Sequence, residues 1–558
     1  MILVIVIWAF ILLLTYLYGS AALAWICRIL RVELHGSIPL PLLLLTGMVS
    51  ITIFALVANL FIPLGSAFIG VLSAGAILIA VRRWSPGSVS FLPKHSLILV
   101  VLVLVLVFLT VLENATHIPS NPDTGLYHAQ TIRWFETYRI VPGLGNLQER
   151  YAFNSAWLVL NASLSLVFLG LRSFHLVNGL LFLTAILFFC DGLYGLVQKK
   201  LPVSGFIKIL FLPLGFYLLA SDISSAGNDM PIALITWMIL ILWLEKIESP
   251  LDSEVKTVLI FLLAFFSIIV KLSSLLIIGF AVLILIEHLR RGKTRQVLIL
   301  GVIGGLILLP WLIRSVLLSG YLVFPISQID LFAVDWKMPR EQIDSTARTI
   351  VDFARLGNSS KFHDNVTFSQ WVPIWFERHT LNRKAIYMFI LLSPFMMLFN
   401  RFRYASVVSP EYLFAYGISL AGSVFWFISA PDIRFGYGFL IGTCTLALAP
   451  MLVDMIFKID KNLSVFPVLI LLTLIVFQTY TLWRSVETST LSQRWLLPAD
   501  YRSSNVESCG MDGMAIYCRK DGGQCQYEAF PCIPSPRLVE LRGATFQAGF
   551  RSISRPDQ

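Results

Sequence analysis

Asp123 stands in Asn121-Pro122-Asp123-Thr124-Gly125, a turn signature just past an apolar run, where a carboxylate would meet both water and lipid. At that depth it could act as a general base, taking the proton of a soluble hydroxyl as the oxygen attacks a lipid-carried group. The plainer reading is an N-cap for the helix that follows, whose Tyr127, Trp134 and Tyr138 recur at helical multiples and suit a headgroup boundary. Glu113 closes the preceding run, either as a companion carboxylate or as the mark of a span end. Asp229 lies in Ser224-Ser225-Ala226-Gly227-Asn228-Asp229-Met230-Pro231. There it either opens a helix, with Pro231 in the first turn, or faces Asp123, where the pair would share a cation or hold sugar hydroxyls.

Three cations belong to the same list. Lys271 interrupts the apolar stretch 258–286: inside hydrocarbon a charge is functional by default, whereas at a turn between two short helices it is an interfacial residue. Arg314 ends Pro310-Trp311-Leu312-Ile313-Arg314, and Arg434 lies in Ala430-Pro431-Asp432-Ile433-Arg434-Phe435-Gly436-Tyr437, each beside aromatics at an outer boundary. A guanidinium stays protonated and offers planar paired donors, which suit a lipid phosphate; the alternative is an anchor on headgroups or, for Arg434, a partner for Asp432. The chain contains no Gly-rich phosphate loop, no Gly-x-Ser-x-Gly elbow, no His-Glu-x-x-His and no dinucleotide fingerprint. Nucleotide-driven transport and soluble-type hydrolysis therefore have no support.

The elements that must hold these residues are membrane helices. Of 558 residues 57% are hydrophobic and 13% charged, too few polar side chains to cover a soluble particle of this size. The apolar runs approach the ~20 residues that a helix needs to span ~30 Å of hydrocarbon, and they are apolar on nearly every face, which excludes a lipid-embedded barrel. The expectation is an all-α membrane protein with about fourteen spans, starting near residues 2, 38, 66, 95, 173, 204, 230, 257, 274, 296, 385, 411, 436 and 464. The first run, Ile2 to Ile26, has no basic residue before it and is too long for a signal peptide, so it reads as a retained span.

The formal charge of +10 is scattered in short clusters between spans, a topology signal that gives no ground for a nucleic-acid partner. Arg28 and Arg31, Arg82, Arg83 and Lys94, Lys199 and Lys200, and Lys246 and Lys256 fall on one side. They are joined by the cluster from Arg290 to Arg295, by Arg401 and Arg403, and by Lys458 and Lys461. The turns around Asn59 to Ser66 and Ser221 to Asp229 carry no Lys or Arg. The first set is then cytoplasmic, and both termini face outward with the acidic loops. Cys509, Cys518, Cys525 and Cys532 crowd into the polar tail, as two disulfides of an oxidising compartment would; zinc is the rival, without a Cys-x-x-Cys pair to support it. Three regions follow: additional N-terminal spans over 1–112, a membrane core over 113–483 with outer loops 113–172 and 319–384, and a small extracytoplasmic region over 484–558.

Taken together, several segments resemble an uncharacterised family of bacterial multi-spanning proteins and, more distantly, the GT-C superfamily of membrane glycosyltransferases. They are Asp123-Thr124-Gly125-Leu126-Tyr127-His128, Val141 to Leu147, Phe153-Asn154-Ser155-Ala156-Trp157, Ser224 to Pro231, Lys271-Leu272-Ser273, Pro310 to Arg314, Pro431 to Arg434 and Leu541-Arg542-Gly543. The resemblance implies transfer of a sugar from a polyprenyl-phosphate carrier to an envelope glycan, lipid or protein at the outer face of a bacterial inner membrane. It makes Asp123 the base and Asp229 a supporting carboxylate, with Glu113, His128, Lys271, Arg314 and Arg434 toward substrate; the two arginines would neutralise the leaving phosphate. Two departures stand out: several spans precede the acidic loop, as an added module would, and Asp123 has no adjacent acidic residue, which leaves a divalent metal open. A transporter or flippase for an envelope precursor is the rival, and would use intramembrane polar residues and inverted repeats.

Overall fold

The computed structural model describes all residues except 34–36, 83–88, 91–97, 170–172, 198–200, 250–252, 358–365, 460–464, 489–490, 511–514, 520–522, 535–537 and 554–558. Among the described residues thirteen helical segments are long and apolar enough to cross a bilayer. They are α1 (Ile2–Leu30), α2 (Leu40–Ala58), α4 (Ile98–Ala115), α8 (Val177–Val197), α9 (Val203–Leu219), α10 (Asp229–Glu248), α11 (Ser253–Val270), α12 (Ile278–Arg290) with the turn Leu272–Ile277 before it, α13 (Thr294–Ser319), α16 (Leu381–Arg403), α17 (Pro410–Ser429), α18 (Ile433–Ile459) and α19 (Phe466–Glu487). The shorter apolar α3 (Ser66–Val81) occupies the remaining position expected from the apolar runs. The other helices are α5 (Ala129–Thr137), α6 (Leu144–Leu147), α7 (Ala156–Ser163), α14 (Arg340–Leu356), α15 (Phe368–Glu377) and α20 (Leu491–Arg494), and the described strands are two or three residues long. The all-α, multi-spanning expectation therefore holds.

A helix that is apolar on every face belongs in the centre of a bundle, and α10 is buried continuously from Asp229 to Leu244. Peripheral helices keep large apolar side chains outward, as Phe395 and Phe402 of α16 and Val476 of α19 do, where lipid tails are the natural solvent. Where α1 crosses α2 the backbones touch: a Cβ on Gly19 would fall 1.9 Å from Leu43 O, and one on Gly47 1.8 Å from Thr15 O. Small residues permit such close crossings between membrane helices, where dispersion contacts replace the hydrophobic drive.

The bundle has two chemically distinct ends. At one, Lys246 pairs with Glu287 at 3.2 Å, Lys293 with Glu254 at 3.0 Å, and Gln296 donates to Leu30 O at 2.9 Å, so the basic ends of α1, α10, α12 and α13 gather together. Arg83, Lys94, Lys199, Lys200 and Lys461 lie outside the described residues. At the other end the Met1 amino group donates to Arg494 O at 2.7 Å, and the loops carrying Asp123, Asp229 and Arg434 converge.

The cysteine-rich tail closes over that second end. Cys509 is bonded to Cys518 and Cys525 to Cys532, two local disulfides. Gln130 of α5 donates to the carbonyls of Gln526 and Ala529 and accepts from Cys532 N, Arg133 donates to Tyr527 O and Glu528 O, and Tyr151 Oη donates to Cys532 O at 2.5 Å. Arg542 grips Asp335 with both Nε and Nη2, at 2.7 and 2.9 Å. The polar stretch 319–384 is not a plain loop, since it folds into the amphipathic α14 and the aromatic α15.

Glu136 of α5 is buried beneath the tail, with Tyr527 Oη donating to its Oε2 at 3.2 Å. Burial outweighs that bond and the nearby Arg133 charge and pushes the carboxyl from 4.5 up to about 7. A raised carboxyl favours the docked tail in its protonated form, so that contribution is full below about pH 4.5 and is lost as pH rises through about 7. Hydrogen exchange of residues 525–533, corrected for intrinsic rates, should show an opening free energy lower by on the order of 1–3 kcal/mol at pH 8 than at pH 5. Glu136→Gln should flatten the dependence; a wild-type opening free energy independent of pH would refute it.

Candidate functional site

Asp123 does not cap a helix. Its side chain makes no capping bond, its own N–H is taken by Asn121 Oδ1 at 3.0 Å, and the chain beyond it enters a widened turn in which Ala129 N bonds Thr124 O. Widened turns of this kind recur at functional sites. Freed from capping, the carboxylate lies 3.7 Å from Arg434 Nη1, with both side chains about one-third exposed (34% and 30%). Arg434 is held in turn by Asp432, whose Oδ1 accepts from its backbone N at 3.0 Å and its Nε at 3.4 Å. Two buried indoles fix that loop: Trp375 Nε1 donates to Pro431 O at 2.7 Å and Trp426 Nε1 to Asp432 O at 2.6 Å. Both belong to a second apolar cluster with Tyr387 and Ile433, so the aromatic helix α15 positions Arg434 from outside.

Asp229 is the first residue of α10, and its carboxylate pairs with Lys271. Lys271 sits in the break between α11 and the turn before α12, not in mid-membrane, and its ammonium lies 3.9 Å from the Phe435 ring centre, beside Arg434. Asp222 adds a further carboxylate, accepting from Asn121 Nδ2 at 3.1 Å. His128, almost wholly buried, lies 3.4 Å from Thr124 Oγ1, and Thr124 Oγ1 lies 2.7 Å from Ser225 Oγ. Burial pushes the His128 imidazole down to about 4 against the opposing pull of Asp123 and Asp229, so at neutral pH it is an uncharged member of the cluster. Tyr127 is held above its usual range by burial and by the same two carboxylates. Asp123, Asp229, His128, Lys271 and Arg434 thus form one electrostatic neighbourhood.

Neutral side chains hold the charged ones in register. Asn154, in a left-handed conformation at φ 46°, donates to Trp311 O at 2.8 Å while Trp311 Nε1 returns a bond to Asn154 O at 2.7 Å. Ser155 donates to Val270 O, one residue before Lys271, and Asn228, one residue before Asp229, donates to Ser155 Oγ and Val270 O. Trp157 Nε1 bonds Asn178 Oδ1 at 2.6 Å, and the Asn178 amide donates to the carbonyls of Gly227 and Asp222. The segment Phe153 to Trp157 is therefore the floor of the site. Asp222, Phe435 and Asn178 carry no expected role in the sequence, and Asn154, Ser155 and Asn228 enter there only through the resemblance; the clustering of Asn, Ser and Asp at span ends is the signal that points to them.

Two expected substrate contacts are corrected. Arg314 is fully buried within α13, five residues before the helix ends at Ser319; it donates to Asn59 Oδ1 at 2.6 Å and stacks 4.6 Å from the Phe135 ring centre, while Nε and Nη2 have no partner among the described residues. The α2–α3 turn and α5 cover it, so it ties those elements together and presents no donor at the surface. Glu113 is also fully buried, accepting from Arg494 Nη2 at 2.9 Å, lying 2.7 Å from His117 Nε2 and bonded by Ser485, which makes it the clamp between α4, α19 and α20. Among the described residues no group of three or more His, Cys, Asp or Glu is placed to hold a metal ion.

Residues 1–441 match the model of a family described as a domain of unknown function, DUF8201. No curated protein matches the chain, and neither does any solved structure.

Removing either member of a buried ion pair leaves an uncompensated charge, at a cost of about 3–5 kcal/mol. Glu113→Ala and Arg494→Ala should each lower the thermal midpoint in detergent, and the double variant should lose clearly less than the sum; additive losses would break the clamp assignment. Arg314→Met removes a buried charge that has no counter-charge among the described residues but also unpairs Asn59 Oδ1, so its midpoint should fall by less than that of Glu113→Ala.

Proposed function

The chain belongs to that DUF8201 family, and for this member we propose a membrane glycosyltransferase of GT-C type, moving a sugar from a polyprenyl-phosphate donor to an envelope glycan, lipid or protein. The observation that carries the reading is the Asp123–Arg434 pair: a base and a phosphate-type cation 3.7 Å apart, both partly open, at the end of a lipid-embedded bundle. In this reading the membrane is a bacterial inner membrane, the site faces outward, and both termini lie on its side.

The acceptor hydroxyl oxygen attacks the anomeric carbon, its proton passes to the Asp123 carboxylate, and the carbon–oxygen bond to the carrier phosphate breaks with inversion. The phosphate leaves with one more negative charge than it brought. Arg434, only loosely held by Asp123, turns to meet it, and Lys271 adds a second positive charge from across the cluster. Asp229 holds Lys271 in place, and neutral His128 offers a hydrogen-bonding nitrogen without changing the charge balance.

One observation favours a transporter as the second reading. At the basic end a cavity of about 390 Å³ opens beside buried Lys208, which bridges Asp191 at 2.7 Å and Glu245 at 2.6 Å. Ionisable groups at both ends of a bundle suit a substrate path as well as a catalyst.

The deciding experiment follows radiolabel from polyprenyl-phosphate hexoses and pentoses into membrane acceptors in proteoliposomes. Asp123→Asn should lower turnover by about 10²–10⁴-fold, as loss of a general base does, and Arg434→Lys by about 10-fold or more through lost paired-donor geometry. Equal turnover of Asp123→Asn and wild type would remove Asp123 from the mechanism, and label crossing the bilayer without a new glycosidic bond would select the transporter.

A further inference from the structure

A second polar recess lies beside this site, between the turn Glu149–Phe153 and the amphipathic helix α14. Its volume is about 140 Å³, below the ~300–1,000 Å³ of pockets for drug-sized ligands and suited to a single small ring. The turn is fixed from both sides, by Tyr151 bonding Cys532 O on the tail and by Asn154 bonding Trp311 O on α13. Glu149 and Arg150 line the recess from this braced turn. Across it, α14 turns one stripe inward: Gln342, Ser345, Thr346 and Thr349, with Ile350 beside them.

The functional groups alternate in sign and in hydrogen-bonding sense. Arg150 and the Gln342 amide donate. Glu149 accepts, and so do the hydroxyls of Thr346 and Thr349, whose own protons are committed to Gln342 O and Ser345 O at 2.8 and 2.9 Å. Phe153 and Ile350 supply apolar surface. A sugar ring presents this same pattern, hydroxyls that both donate and accept around its edge and C–H groups on its face, and the single Glu and single Arg cancel in charge. The recess borders the acid cluster across one aromatic layer: Phe153 meets Tyr127 with ring centres 5.6 Å apart, and Tyr127 adjoins His128 at 4.3 Å.

We propose that the recess between Glu149–Phe153 and α14 is a binding subsite for one neutral pyranose ring, and that it seats the acceptor glycan next to Asp123. The acceptor role rests on the glycosyl-transfer reading; the binding does not.

The full chain in lipid nanodiscs is probed by saturation-transfer NMR with methyl α-glucopyranoside, methyl α-mannopyranoside and methyl β-galactopyranoside, with glucuronate and inorganic phosphate as anionic arms. Saturable binding of at least one neutral ring is expected, weakened about 10-fold by Arg150→Ala and about 2–5-fold by Thr349→Val. Thr349 is exposed, so its valine variant tests the hydroxyl without disturbing the fold. No saturable neutral-ring binding, indifference to both recess variants, or tighter binding of glucuronate or phosphate would each overturn the proposal. Binding without glycosyl transfer would sink the transfer reading alone, and transfer without recess binding would sink this one alone.

Discussion

Charged side chains at the edge of a lipid-embedded bundle persist only in company, because an ion removed from water costs several kcal/mol unless an opposite charge and hydrogen bonds replace its hydration. That constraint organises one whole end of this molecule. Asp229 with Lys271, Asp123 with Arg434 and Glu113 with Arg494 are three solutions of the same problem at different degrees of burial. The last is shut away and serves cohesion. The first two remain partly open, and Asp123 with Arg434 is the looser, so that pair has most freedom to exchange its partner for a ligand.

What keeps the pairs aligned is uncharged. Asn154, Ser155, Asn178 and Asn228 bond backbone carbonyls next to the ionised residues, so the charges inherit the rigidity of α7, α10 and α13. Trp375 and Trp426 do the same for Arg434 from the aromatic cluster. Pre-set donors need no rearrangement when charge develops nearby, which is the condition for electrostatic catalysis.

Much of this is readable from the chain. Apolar runs define the spans, and Asp123, Asp229, Lys271 and Arg434 each follow or open one beside turn residues, so their meeting at one end of the bundle comes from counting crossings. Counting gives no azimuth and no cover. Arg314 has the same sequence context as Arg434, but Asn59, 255 positions away, and Phe135 lie over it; Glu113 meets an arginine 381 positions later. Such coincidences of distant segments have no local signature. The N-cap expected of Asp123 fails for a local reason: Asn121 Oδ1 accepts from Asp123 N and takes the capping role two residues earlier, while Asp123 itself is already helical at φ −66° and ψ −25°. In the stretch 319–384 the overall polarity reads as loop, although Ile343, Ala347, Ile350 and Ala354 of α14 fall at helical spacing.

The bonds between α5 and the tail span more than two thirds of the polypeptide, 396 of 558 positions in the case of Gln130 and Gln526. During synthesis the loop after α4 emerges early, with Gln130, Arg133 and Tyr151 aimed at carbonyls that the ribosome has yet to make, and for most of translation water must satisfy them. The charged rim thus acquires its roof only after the last span has been inserted, and a chain released prematurely would carry every charged residue of the cluster yet lack the cover that closes over it.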